Sequence, residues 1–351
     1  MKTFRKLLFS VLIFVLTILV VSASIIYPLL SSEWEHCFDS KNRERLSGTI
    51  NLLICGASQG MNHYNTHIID EKLCTCYNIS GPAMTWSAKA MLLEEELLRN
   101  DVKYVIIDIS HNSLMQEPEV SGEYYALPRF SKRKQMIYFF SEISFPQQFE
   151  LYGKLMNEGS RYLTSRFIGK SNALGTTDKI NNCNYSDKGF RFAATNNITL
   201  KGEEIVKNYN SKKIVTDFPI NNIINLNKMI SSCKKHGAQP IIVESIASDK
   251  LNWEYDGLQN LHNYLFDYCK ENDCVFIDAN LLINRFSVFS DENSFCDDQH
   301  LSGEGATKYT EMFCNLLHLY ESGIDISDMF YKTYDDMEKE SPYYLYYISN
   351  K

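Results

Sequence analysis

The sequence predicts an α/β protein: a parallel sheet of about five strands between two layers of helices, preceded by one N-terminal membrane-spanning helix. Two patterns carry this expectation. Short apolar runs alternate with amphipathic stretches of helical period through the chain, which is the signature of βαβ units and a parallel sheet. Ahead of them, residues 7–30 form an uncharged, mostly apolar stretch of 24 residues, where a helix needs about 20 to cross a bilayer. A hydrophobic share of 44% over 351 residues supplies enough apolar side chains for a full core.

The elements follow in order. Lys2, Arg5 and Lys6 precede the apolar stretch, so the positive-inside bias keeps residues 1–31 as a cytoplasmic tip and anchor and places the rest outside the membrane. A cleaved signal peptide is the rival reading, because Val21-Ser22-Ala23 offers small or modest residues where a signal peptidase cuts. Apolar sequence continues past that point through Ile25, Ile26, Leu29 and Leu30, which favours an uncleaved anchor. Residues 32–48 are polar and read as a linker.

The folded domain is expected over residues 49–325. Residues 51–55 form a short apolar run closed by Gly56, a buried strand before a tight turn. A second short strand over 76–79 ends at Ser80-Gly81-Pro82. Over 85–99, leucines at helical spacing run against Glu94, Glu95 and Glu96. Residues 104–109 are almost wholly apolar, as expected of a parallel strand covered on both faces. After a break the alternation resumes: helix 221–236 stopped by Gly237, strand 240–243, helix 258–270, strand 274–277 and a closing helix 305–320.

Residues 117–216 interrupt this pattern and are dense in aromatic side chains. They read as an insertion, serving either as a lid or partner surface over the sheet or as a packing cluster of its own. Within it, Lys132-Arg133-Lys134 is either a solvated basic face or a contact for lipid headgroups. Residues 326–351 form an acidic, tyrosine-rich tail. Net charge −8 and the lack of a long basic run interleaved with aromatics argue against nucleic acid as a partner. The ten cysteines and the histidines fall into no strong zinc pattern, and spacing leaves disulfide pairing open. No cofactor is expected.

Two motifs bear chemistry. Ser58 follows the first strand in Gly56-Ala57-Ser58-Gln59-Gly60, at the carboxyl end of the sheet where open α/β folds place their sites. Asp297-Asp298-Gln299-His300-Leu301 sets an acid three residues before a histidine, just ahead of Ser302-Gly303 and the last helix. A carboxylate and an imidazole that close can pair locally. His300 would then take the Ser58 proton, with Asp297 fixing its tautomer.

A serine turn after strand one and an Asp-x-x-His before the last helix resemble the SGNH/GDSL hydrolase superfamily, over about residues 51–320 less the insertion. The resemblance implies a three-layer, flavodoxin-like sheet and an acyl-enzyme on Ser58. It also implies an oxyanion hole built from Ser58, Gly81 and Asn112. The third position stays open to Ser110 or His111, because residues 108–112 lack the family's Gly-x-Asn-Asp, and Ala57 stands where the family's first block has Asp. The anchor, the variant first block and the large insertion together resemble the membrane-tethered SGNH-like proteins that acylate cell-envelope polymers, of the D-alanyl teichoic acid and alginate acetylation kind. That narrower likeness implies a serine O-acyltransferase or esterase on an envelope glycan or polymer, working beside a membrane-bound O-acyltransferase. A non-catalytic scaffold that keeps the fold is the alternative.

Overall fold

The computed structural model describes residues 4–6, 8–14, 16–17, 40–115, 117, 119–154, 157, 184–186, 188–215 and 218–350. Its centre is a five-stranded parallel sheet in the order β2-β1-β3-β4-β5, formed by β1 (Leu52–Cys55), β2 (Cys76–Asn78), β3 (Tyr104–Ile109), β4 (Gln239–Glu244) and β5 (Val275–Asp278). Placing the first strand inside the sheet and the second at an edge reverses the winding direction between β1 and β3. The carboxyl ends of β1 and β3 therefore flank the crevice where open α/β sheets hold ligands.

Alternation of side chains along each strand sorts them into two cores. Leu53, Cys55, Val105, Ile107, Ile109 and Ile242 face one side, where α4 (Trp86–Leu97), α7 (Ile220–Lys235) and α8 (Leu258–Glu271) cover them. Leu52, Ile54, Ile106, Ile241 and Val243 face the other, beneath α3 (Thr66–Lys72) and α9 (Gly303–Glu321). Burial on both faces explains the unbroken apolar runs of the strands. The helices begin where side-chain caps allow: Thr85 accepts the Ala88 N–H ahead of α4, and Ser302 accepts the Gly305 N–H ahead of α9.

Two departures from the sequence expectations, and one segment to which the sequence assigned no role, concern the periphery. Residues 40–45, within the stretch read as linker, form helix α1 (Ser40–Arg45), because Arg43 is buried, pairs with Glu96 and donates to the Arg129 carbonyl at 2.6 Å. The insertion is no separate cluster throughout: Tyr124, Phe130 and Tyr138 are buried in the same core as β1 and β3. The tail forms two helices, Tyr334–Glu340 and Pro342–Ser349, bound to the domain through tyrosine and serine hydroxyls. Tyr343 Oη donates to Asp291 at 2.7 Å, and Ser341 Oγ to Asp249 at 2.8 Å.

In the expected membrane span, residues 8–14 and 16–17 are helical, while 18–39 lie outside the described residues. Among the described residues no helix is long and apolar enough to cross a membrane. Cys37 and Cys183 also lie outside them, and the other eight cysteines are free thiols.

Candidate active site

The first strand ends against its neighbours so tightly that side chains are excluded. A Cβ on Gly56 would stand 2.8 Å from the Asp108 Cβ of β3, and one on Gly60 would stand 2.6 Å from Ser80 Oγ. Both glycines of the pentapeptide are thus explained by close packing. The chain then turns directly into α2 (Ser58–His63), whose first residue is the serine. Ala57 occupies the cap position without a side-chain bond to the helix, so no capping group competes for the N–H groups of the first turn, which lack partners within the helix. Beneath the turn, buried Asp108 receives the Gly60 N–H and the hydroxyls of Ser245 and Tyr64. Burial pushes its carboxyl up to about 7 against those bonds.

The acid and the imidazole sit at the tip of a hairpin. Phe295 and Leu301 form an antiparallel bridge, Cys296 N donates to the His300 carbonyl at 2.9 Å, and Ser302 N donates to the Ser294 carbonyl at 2.9 Å. Asp297 Oδ1 accepts the Gln299 N–H at 2.9 Å and the His300 N–H at 3.0 Å, an Asx turn that curls the tip. This curl brings Asp297 Oδ1 within 2.8 Å of His300 Nδ1. On the other side of the ring, His300 Nε2 lies 2.7 Å from Ser58 Oγ. The structure therefore brings together the three residues singled out as a triad, 242 positions apart between serine and histidine.

The hairpin's middle residues hold it in place from two directions. Asp298 faces the loop after β4: its carboxylate pairs with Lys250 Nζ at 2.9 Å, and its carbonyl accepts the Ser248 hydroxyl at 2.8 Å. Gln299 faces the nucleophile's own helix. Gln59 Nε2 donates to Gln299 Oε1 at 3.1 Å, and His63 Nε2 lies 3.2 Å from the Gln299 carbonyl. A carbonyl only accepts, so this contact sets His63 as the Nε2–H tautomer.

Gln59 and His63 were not singled out from the motifs. The signal present in the sequence is their spacing: at i and i+4 of a helix they share one face, one and five residues beyond Ser58. Burial first, and then the charge of His300, push the His63 imidazole down to about 3. The native state therefore binds fewer protons than the unfolded chain between about pH 3 and 6.5, and this residue's share of stability is lost as pH falls through that window. His63→Gln is expected to weaken the fall in urea midpoint between pH 7 and pH 4.5, and to lower kcat about 10- to 100-fold by loosening the hairpin. His63→Phe, with no donor at all, is expected to lower kcat further while KM moves less. Equal pH dependence of the urea midpoint in wild type and His63→Gln would refute the assignment.

Of the oxyanion candidates, Ser58 stands at the amino end of α2 and Gly81 is buried in the turn after β2. Asn78 ties that turn to α2, donating to the Gly60 carbonyl at 2.7 Å and accepting the Ser80 N–H at 3.0 Å. The Arg129 guanidinium lies flat against Gly81, where a Cβ would meet its Cζ at 2.7 Å, and it donates to the Ile79 and Ser80 carbonyls. Asn112 and His111 fall in α5 (His111–Met115), directly after β3, with their side chains outside the described set. Ser110 is engaged locally: its hydroxyl accepts the Ser113 N–H at 3.1 Å.

No protein-family model and no curated protein matches the chain. Among solved structures it is similar to a provisionally assigned acylhydrolase from Bacteroides fragilis, at 12% identity and a TM-score of 0.38, covering 80% of this chain and 94% of that one. It is also similar to a GDSL-like lipase from Bacteroides thetaiotaomicron, at 9% identity and a TM-score of 0.39, covering 83% of this chain and 98% of that one. What the present site can do follows from its own side chains.

Proposed function

We propose that this chain is an SGNH-type serine enzyme that moves a small acyl group onto or off a hydroxyl of a cell-envelope polymer, from a domain tethered to the outer face of the membrane. The observation that carries the chemistry is the continuous path from Asp297 through His300 to Ser58, with 2.8 Å and 2.7 Å at its two links. In the first half-reaction Ser58 Oγ attacks the acyl carbon while His300 Nε2 takes the hydroxyl proton. The carbon–oxygen bond to the leaving alkoxide then breaks, and that oxygen leaves with the proton held on His300. In the second, water or a sugar hydroxyl attacks the acyl carbon of the Ser58 ester while His300 takes its proton; the bond from that carbon to Ser58 Oγ then breaks, the new acid or ester leaves, and Oγ takes the proton back from His300. Charge on the tetrahedral oxygen is met by the N–H groups of Ser58 and Gly81 and by Asn112, each such donor being worth about 3 kcal/mol.

The polymer substrate, the membrane-bound O-acyltransferase partner and the outward orientation rest on the resemblance stated from the motifs and on the apolar residues 7–30. The test of the chemistry is direct. A fluorophosphonate probe is expected to label the full chain and to leave Ser58→Ala unlabelled. A folded wild type that takes no label would overturn the catalytic reading in favour of a scaffold with the same fold.

A further inference from the structure

Helix α6 (Lys132–Ser141) and the helical residues 145–154 form a hairpin whose outer side exposes five large apolar side chains, with Arg133 and Glu150 among them. Gln148 Nε2 joins the two, donating to the Phe139 carbonyl at 3.0 Å and to the Ile143 carbonyl at 2.8 Å. Its inner side is already core, with Tyr138, Ile143 and Leu151 buried. Its outer side carries Met136 at 64% exposure, Ile137 at 43%, Phe140 at 69%, Phe145 at 71% and Phe149 at 64%. Met136, Ile137 and Phe140 share one face of α6 by helical spacing, and Phe145 and Phe149 share one face of the next helix, their ring centroids 4.9 Å apart. Five large apolar side chains exposed together, with Arg133 on the same face of α6, mark a surface that a lipid interface covers well, since basic groups there meet headgroups while the apolar ones enter the acyl boundary.

The tether shows which cover is within reach. Helix α1 starts at Ser40 and is held by Arg43 to the carbonyl of Arg129, three residues before α6 begins. From the end of the apolar stretch at Leu30 to Ser40 is ten residues, which span at most about 35 Å even when fully extended. An anchor in residues 7–30 would thus hold the apolar hairpin beside the bilayer it leaves.

We infer that the outer face of this hairpin seats in the interfacial layer of the lipid bilayer, as aromatic and aliphatic side chains do at the headgroup boundary. The inference rests on the anchored topology proposed above. Seating there also bears on the site, because Arg129 leads into α6 and packs against Gly81 beside the nucleophile's helix.

The full chain is reconstituted into phosphatidylcholine vesicles with brominated acyl chains, and single tryptophans are introduced by Phe140→Trp, Phe149→Trp, Leu12→Trp and Phe266→Trp. Phe266 is exposed on α8, next to edge strand β5. Relative to the unsubstituted chain, the tryptophans at 140, 149 and 12 are expected to lose more than half of their added emission, and the one at 266 to lose none. Quenching at 12 without quenching at 140 and 149 overturns the inference and leaves the anchor standing. Quenching at 140 and 149 without quenching at 12 keeps the lipid-facing surface and removes the anchor. Tryptophans at 140 and 149 that are shielded from aqueous iodide yet unaffected by bromine mark a protein contact, which also overturns it.

Discussion

Ser58→Ala and His300→Ala are each expected to lower kcat for acyl transfer by on the order of 10⁴- to 10⁶-fold, and the double variant is expected to lose no more than the worse single. The reason is that the two side chains act on one proton. At 2.7 Å, His300 Nε2 can remove the Ser58 hydroxyl proton only as Oγ attacks, so either deletion abolishes the same step. What remains is the oxyanion donors and substrate binding, which in serine enzymes keep about 10³- to 10⁴-fold over water. Asp297, the carboxylate that His300→Ala leaves behind, is 56% exposed and keeps the Gln299 and His300 backbone N–H groups, so both variants should unfold close to wild-type denaturant concentrations. Steady-state kinetics of the two singles and the double on a chromogenic acetyl ester checks this. Losses that multiply would mean that the residues serve separate steps, and the acyl-enzyme route would fall.

The sheet was legible because two-sided burial leaves its mark in composition. The runs that become β1, β3 and β4 are largely apolar at successive positions and only four to six residues long, a length that favours covered strands over buried helices. The motif residues were legible for a different reason. Serine after the first strand and Asp-x-x-His before the last helix are short-range patterns, and Asp297 meets His300 within one turn of chain. Gln59 and His63 left no such pattern, because their meaning depends on Gln299, which lies 240 and 236 residues away. Gly56 and Gly60 were legible as a turn, but the cause of their size is Asp108 on β3 and Ser80 in the turn after β2.

The periphery was harder for physical reasons of the same kind. The tail is bound through hydroxyls set within apolar contacts: Tyr334 donates to Asp278 at 3.1 Å and packs with Met337 against Leu258 and Leu281, while Tyr343 donates to Asp291 at 2.7 Å beside Leu200 and Trp253. Every one of these partners lies tens of residues or more away along the chain, so the tail's acidic, tyrosine-rich composition by itself assigns it no place. In the insertion, the aromatic side chains of one helix divide between core and surface: Tyr138 is buried while Phe140, two residues on, is exposed. Only the packed structure separates those roles.

Asp297→Asn is expected to lower kcat about 10⁴-fold, the cost seen when the acid of a serine triad becomes an amide, whereas Asp298→Asn is expected to stay within a few-fold of wild type. The two carboxylates are adjacent in sequence and opposite in use. Burial works against ionisation of Asp297, but the His300 ring, its charge and the N–H groups of Gln299 and His300 outweigh it and hold the carboxyl below its usual range. It is therefore an anion throughout the neutral range, able to accept the Nδ1–H of His300 and to offset the charge that His300 gains as it takes the serine proton. Asparagine keeps an oxygen for the two backbone N–H groups, so the hairpin should survive, but an amide NH₂ turned to the ring stabilises the tautomer whose Nε2 carries the proton. That imidazole cannot act as a base toward Ser58. Asp298, in contrast, spends its carboxylate on Lys250 at a partly exposed site, where an ion pair is worth about 0–1 kcal/mol. Its structural bond to Ser248 is made by the backbone carbonyl, which asparagine retains. Measuring kcat and KM for both variants distinguishes the roles: a larger loss in Asp298→Asn would place the wrong carboxylate behind His300.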